Sequence, residues 1–208
     1  MKKYQVYLFD FDGTLFNTVP GLSYVFKKSF GSIGVNVNDD DVIWLSRVPL
    51  AESYAKYNGD PAKVNIFIKE IEKALDSKQS IETTEFYDDS KEFVDYLAKN
   101  KPMCGIVTSN NTGHVLKILS FFNLPKELFN VYIGSDIVKE IKPHPAPIKE
   151  AIKRLHYNGD LHDVVYVGDS HNDCQAALNA GVDTYLLDRG NAGDYPYPKI
   201  YSLMELFK

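Results

Sequence analysis

Asp10 and Asp12 stand one residue apart at the end of a run, residues 4–9, in which five of six side chains are β-branched, aromatic or leucine. A run of this kind, free of glycine and proline, reads as a strand buried on both faces. At the end of an extended segment positions i and i+2 point the same way, so both carboxylates are expected to face one small volume. Their repulsion calls for a cation or a proton between them. Gly13 gives the backbone a tight exit. An acidic turn is the plainer reading, because Asp and Gly are ordinary turn residues. Paired acids ending a buried strand point instead to chemistry.

Three further polar groups follow apolar runs. Thr108, Ser109 and Asn110 follow Met103–Val107, and Lys142 follows the weaker run Val131–Ile133. Asp169 and Asp173 follow the strong run at 163–167, within Gly168-Asp169-Ser170-His171-Asn172-Asp173. Ligands of open parallel sheets bind beyond the carboxyl ends of the strands, which is where all four groups fall. Acids, hydroxyls and one lysine on that edge suit Mg²⁺ and a phosphate. The hard cation takes carboxylate and phosphate oxygens, while hydroxyl, ammonium and backbone N–H groups neutralise the rest.

The elements that must position these groups alternate. Helical spacing over 88–97, 112–122, 147–155 and 176–180 separates the apolar runs, and Val182 to Leu187 reads as a further strand. Asp88 or Asp89 is expected to cap the first of these helices, and residues 202–207 form a short terminal helix. Strands alternating with helices predict a doubly wound, mostly parallel α/β sheet. Residues 17–82 break the series. Pro20 opens a helix carrying Leu22, Val25, Phe26 and Phe30, and Asn38 with the acids after it caps a second through Leu45. Asp60-Pro61 starts a third, with Val64, Phe67, Ile68, Ile71 and Leu75 on one stripe. Trp44 and that stripe are expected to form the core of a small all-helical insert. The expected division is a core of residues 1–16 and 83–208 and a helical domain of residues 17–82.

With 208 residues, 44% hydrophobic and 13% aromatic, the chain can bury a substantial core. A formal charge of -5 argues against nucleic acid and against an anionic membrane surface as partners. No apolar run approaches a membrane span and no signal core follows the start, so the expected location is cytoplasmic. Cys104 and Cys174 have neither a disulfide framework nor metal-ligand spacing.

Taken in order, Asp-x-Asp-Gly-Thr-Leu from Asp10, the strand ending on Thr108, Lys142-Pro-x-Pro and Gly-Asp-Ser-x-x-Asp from Gly168 resemble the haloacid dehalogenase superfamily of phosphotransferases. The resemblance covers essentially the whole chain, and the helical insert is similar to the cap of its phosphoglycolate-phosphatase and β-phosphoglucomutase branch. It implies a HAD-like Rossmannoid core and a Mg²⁺-dependent phosphatase acting on a small phosphorylated metabolite, as a monomer or homodimer. By this resemblance Asp10 would be the nucleophile, Asp12 the general acid and base, and Thr108, Ser109 and Lys142 the phosphate-binding groups. Asp169 would ligate the metal with the Asp10 carboxylate and the Asp12 backbone carbonyl, and Asp173 would orient the metal shell or join it. Arg47 departs from the glycine that relatives often carry at a cap turn, and is the candidate clamp for a second anionic group on the substrate.

Plainer readings stand beside these. Lys142 could be a solvated turn lysine, Thr108 a helix cap, Asp169 and Asp173 acids favouring a helix dipole, and Arg47 a surface arginine. His144 and His171 lie inside the motifs at positions the family leaves free. Two other activities use similar residues. A phosphomutase differs only in passing the phosphoryl group to a sugar hydroxyl. A receiver-like signalling module shares the acids, Thr and Lys, but normally lacks the insert and the run from Gly168 to Asp173. A dinucleotide-dependent oxidoreductase is disfavoured, since no glycine-rich fingerprint follows any strand.

Overall fold

The computed structural model describes residues 2–57, 60–190 and 192–208, with the backbone alone at Arg47. The chain forms two compact units, Met1–Phe16 with Phe86–Lys208, and Asn17–Glu85. The chain crosses between them at β2 (Phe16–Asn17) and β3 (Glu85–Phe86), which pair as a two-stranded sheet.

In the larger unit six strands form one sheet. In chain order they are β1 (Val6–Phe9), β4 (Met103–Val107), β5 (Val131–Ile133), β6 (Val164–Gly168), β7 (Asp183–Leu187) and β8 (Lys199–Ile200). Their spatial order is β5-β4-β1-β6-β7-β8, and every pairing is parallel. The order therefore reverses beside β1, and β1 and β6 flank the switch point at which open α/β sheets bind ligands. Phe9 pairs with Ile106 on one side and Val167 on the other, so Asp10, one residue on, comes level with the ends of both neighbours.

Alternation along β1 sends its side chains to two cores. Val6 and Leu8 join Val164 and Tyr166 of β6 and the buried faces of α8 (Ala146–Arg154) and α9 (His171–Ala180). Tyr7 and Phe9 face the other way, against Phe207 and against Phe93 of α6 (Asp88–Asn100). Ala176, Ala177 and Ala180 are all buried, the close approach that small residues on one helix face permit.

One detail of capping differs from expectation. Tyr87 is the N-cap of α6, and Asp88 and Asp89 lie in its first turn. Asp89 is drawn instead to Arg189 and to the Leu203 amide. β8 was too short, at two residues, to carry any period.

The smaller unit contains α1 (Val19–Gly31), α2 (Asp39–Arg47), α3 (Leu50–Tyr57), α4 (Val64–Leu75) and α5 (Lys78–Glu82). Phe30 and Phe67 meet at 4.5 Å in a core that includes Phe26, Leu45, Tyr54, Ile71 and Ala74. α4 begins at Val64, after a turn that follows Pro61. Ile68 is exposed, because Phe67, Ile71 and Ala74 centre the buried face and Ile68 lies about 100° round the helix from Phe67. Trp44 is also outside the core, at 37% exposed, with the Lys56 ammonium 4.3 Å over its ring. That ammonium, also paired with Asp41 at 2.8 Å, makes a cation–π contact with the indole face at this exposed position. Among the described residues no helix is long and apolar enough to cross a membrane.

Candidate active site

Asp10 leaves β1 with its amide bonded to the Val167 carbonyl at 2.9 Å, which fixes it between the ends of β4 and β6. Its carboxylate is buried, and one oxygen from each of Asp10, Asp169 and Asp173 falls within 4.8 Å of the others. Lys142, approached through a cis Lys142–Pro143 peptide, is buried among them. Its ammonium donates to Asp10 Oδ1 at 2.6 Å, Asp173 Oδ1 at 2.5 Å and Tyr166 Oη at 3.1 Å. All three of its protons are thereby used. The solvated-lysine reading fails on this burial.

Two glycines make the cluster possible. Gly13 has φ +75°, and a Cβ there would sit 2.6 Å from Asp169 Oδ2. At Gly168 a Cβ would meet Cγ of Asp173 at 2.3 Å. Both positions let an aspartate lie directly against backbone.

Asp173 is held from both ends. Its Oδ1 takes Lys142 and Tyr166, and its Oδ2 accepts from the Ser170 amide at 3.1 Å and, more closely, from the Ser170 hydroxyl. The Asp173 amide in turn donates to Ser170 Oγ, completing a capping box at the start of α9. The helix-start role is therefore real, and the same carboxylate also fixes Lys142.

Asp12 does not join the three clustered acids. β1 ends at Phe9 and the following residues turn, so the i, i+2 rule no longer applies at Asp12. Its Oδ2 takes a long 3.5 Å contact from the Thr108 hydroxyl, and its buried Oδ1 has no hydrogen-bond partner among the described residues. Thr108 Oγ1 also accepts from the Asn110 amide at 3.0 Å, while Asn111, not Thr108, caps α7 (Thr112–Phe121). Ser109 is exposed in the turn between them. Asp136 holds this turn from β5's side, accepting from the Thr112 amide at 2.8 Å and from its hydroxyl.

Burial pushes the Asp10 carboxyl well above the ordinary carboxylate range; Lys142 opposes this, and Asp173, Asp12 and Asp169 reinforce it. For Lys142 burial works against the charge, but Asp10 and Asp173 outweigh it and hold the ammonium protonated. Burial raises the Tyr166 hydroxyl far up, helped by Asp173 and Asp10, so it remains neutral. With all three carboxyls ionised, as a bound cation would hold them, three carboxylates and one ammonium give the cluster net −2. An all-oxygen, dianionic, buried set fits a hard divalent cation such as Mg²⁺.

His144 is exposed and its Nδ1 accepts from the Ala146 amide. His171 stacks on Tyr195 and shares a 2.8 Å hydrogen bond with Tyr197. The Arg47 side chain lies outside the described residues. Tyr166 is the site residue that pattern reading missed. The available signal was one hydroxyl inside the otherwise aliphatic Val164-Val165-Tyr166-Val167, since a buried tyrosine hydroxyl needs a partner.

The fold and this strand-end cluster define a class: the family model for haloacid dehalogenase-like hydrolases matches residues 7–187, and the chain belongs to that family. Its named relatives are phosphatases. It is 31% identical over 183 residues to the pyrophosphatase PpaX of Bacillus cereus, covering 88% of this chain and 82% of that one. It is 28% identical to the phosphoglycolate phosphatase of Colwellia psychrerythraea, over 91% and 87% of the two chains. A solved haloacid dehalogenase-like structure from Bacteroides fragilis superposes with a TM-score of 0.85 at 29% identity, over 98% of this chain and 100% of that one.

Proposed function

We propose that the chain is a Mg²⁺-dependent phosphatase that hydrolyses a small phosphomonoester through an aspartyl phosphate on Asp10. The observation that carries this reading is the Asp10 carboxylate, held at the switch point against Asp169, Asp173 and the Lys142 ammonium. The names of the relatives support the reaction class. They differ in substrate, so the shared element is a phosphoryl group on oxygen.

In the first step an Asp10 oxygen attacks phosphorus and the bond to the leaving oxygen breaks, its electron pair going to that oxygen. Asp12 delivers the proton the leaving alkoxide needs. In the second step Asp12 takes a proton from water as the water attacks phosphorus, the bond to Asp10 breaks, and inorganic phosphate leaves. Thr108 and Ser109 hold the phosphoryl oxygens, joined by Lys142 when its ammonium turns one proton from the Tyr166 hydroxyl to a phosphoryl oxygen while keeping Asp10 and Asp173. Asp10, Asp169 and the Asp12 carbonyl would hold the metal, with Asp173 orienting the shell, since both its oxygens are already engaged. Bound Mg²⁺ would offset charge on the carboxylate and phosphoryl oxygens. The helical unit would act as a cap, with Arg47 reading a second anionic group, and the expected setting is the cytoplasm.

Asp12→Asn tests the division of labour. p-Nitrophenolate leaves without a proton, so the variant should release a burst of about one equivalent of p-nitrophenol and then stall as acyl phosphate. Asp10→Asn should show no burst. Steady turnover near wild type in Asp12→Asn, or a phosphoryl group trapped on another residue, refutes the assignment.

A further inference from the structure

Arg189 lies one residue beyond Asp188, just past β7, and its side chain is only 11% exposed. Its backbone is pinned on both sides. The Asp188 amide bonds to the Ile200 carbonyl at 2.8 Å, and Asp188 Oδ1 accepts from the Gly190 amide at 2.9 Å. The guanidinium then reaches across the unit to two distant segments. Nη2 donates to the Thr14 carbonyl at 2.7 Å and to Ser90 Oγ at 3.3 Å, and Nη1 pairs with Asp89 Oδ1 at 2.9 Å. Its carbon lies 3.7 Å over the Tyr87 ring, while Nε is buried without a hydrogen-bond partner among the described residues. Asp89 is itself tied down, its other oxygen accepting from the Leu203 amide at 2.8 Å.

The Thr14 carbonyl belongs to the turn that carries Asp12. That turn has few fixings of its own: Gly13 to Phe16, and Leu15 and Phe16 back to Phe11. Among the described residues the Asp12 carboxylate makes only the long contact to Thr108. A charge-assisted bond from a planar, stacked, ion-paired guanidinium is a stronger and more directional anchor than any of these. Tyr87, Asp89 and Ser90 are also the first residues after the return crossing at β3, so the one guanidinium joins both chain segments that border the insert.

We infer that Arg189 is a positioning residue for the proton-transfer step, setting where the Asp12 carboxyl sits through the Thr14 carbonyl. This rests on the proposed role of Asp12 as acid and base. In the first step a displaced acid matters only when the leaving oxygen needs a proton, whereas the second step, with Asp12 as base, is common to all substrates; the discriminating quantity is the first-turnover rate. Loss of the guanidinium should therefore separate substrates by leaving group, whereas general loosening of the fold would lower all rates together.

The test compares an alkyl phosphate with p-nitrophenyl phosphate in the full-length protein with Mg²⁺. The variants are Arg189→Ala, Arg189→Lys and, as a second route to the same anchor, Asp89→Asn. For Arg189→Ala, the first-turnover rate on the alkyl phosphate should fall ~100-fold, the scale of a misplaced catalytic group, while p-nitrophenol release in the first turnover stays within about threefold. Added guanidinium ion should recover the alkyl phosphate rate selectively. Arg189→Lys keeps charge but loses the fork and should fall between. Equal losses on both substrates, or none on either, would overturn the inference. Should Arg189→Ala fail to fold, the leaving-group ratio of Arg189→Lys and Asp89→Asn decides in the same way. Asp12→Asn run alongside keeps the two questions apart, because an unselective effect there would remove the acid/base reading itself.

Discussion

Replacing Lys142 by Met leaves the shape of the site nearly intact and removes the buried cation that pairs with Asp10 and Asp173. The three clustered carboxylates then lie within 4.8 Å of one another at net −3. Removing one partner of a buried ion pair costs about 3–5 kcal/mol, and here one ammonium serves Asp10 and Asp173 together. Proton uptake sets a ceiling. At pH 7 an ordinary aspartate, with its value of 3.8, is about 3 pH units from protonation, which corresponds to about 4 kcal/mol. The expected loss in chelator at pH 7 is therefore ~3–4 kcal/mol, a fall in Tm of roughly 6–16 °C for a chain of this size. Asp10 is raised by burial already, so its protonated form becomes the resting state of the variant. The sign follows: the deficit is small near the unfolded carboxyl value and grows as pH rises, shrinking to ~1–2 kcal/mol at pH 5. Mg²⁺ should raise the Tm of the variant at least as much as that of wild type, since it supplies the missing charge. Turnover should still be lost. Scanning calorimetry at pH 5 and 7, with chelator and with Mg²⁺, reads all four quantities. A variant within about 2 °C of wild type in chelator at pH 7, or a deficit independent of pH, would refute the charge argument.

Gly13→Ala places a methyl 2.6 Å from Asp169 Oδ2 at φ +75°, so it should cost about 1–3 kcal/mol in denaturant melts and lower phosphate release as well. An unchanged melting midpoint would mean the turn relaxes freely. At the opposite end of the sheet, the hydrogen bond to Asp183 raises the His162 imidazole above 6.5. Its contribution to stability is complete below that value and is lost as pH rises through the higher folded one, and Asp183→Asn should bring the imidazole titration back toward 6.5. Proton NMR of the His162 ring that shows the same midpoint in both proteins would dismiss the pair.

Much of the site was legible from local pattern. Apolar runs such as Val164-Val165-Tyr166-Val167 have the length and composition of buried parallel strands, and a residue that follows a strand must emerge at its carboxyl end. Asp10, Thr108 and Asp169 were placed on one edge by that reasoning alone, and the alternation with helices specified a parallel sheet. What the pattern cannot contain is which strand ends become neighbours. The order β5-β4-β1-β6-β7-β8 and its register bring Lys142 to Asp10 across 132 positions and Arg189 to Thr14 across 175. They also turn the Tyr166 hydroxyl toward Lys142 and Asp173 and give Asp12 a different neighbour, Thr108, from those of Asp10. Trp44 lies outside its expected core for a related reason: helical period shows which residues share a face, and only packing decides which face is covered. Local spacing records the torsions of a few successive residues, whereas ion pairs and shared protons depend on the distance between segments brought together only when the sheet assembles.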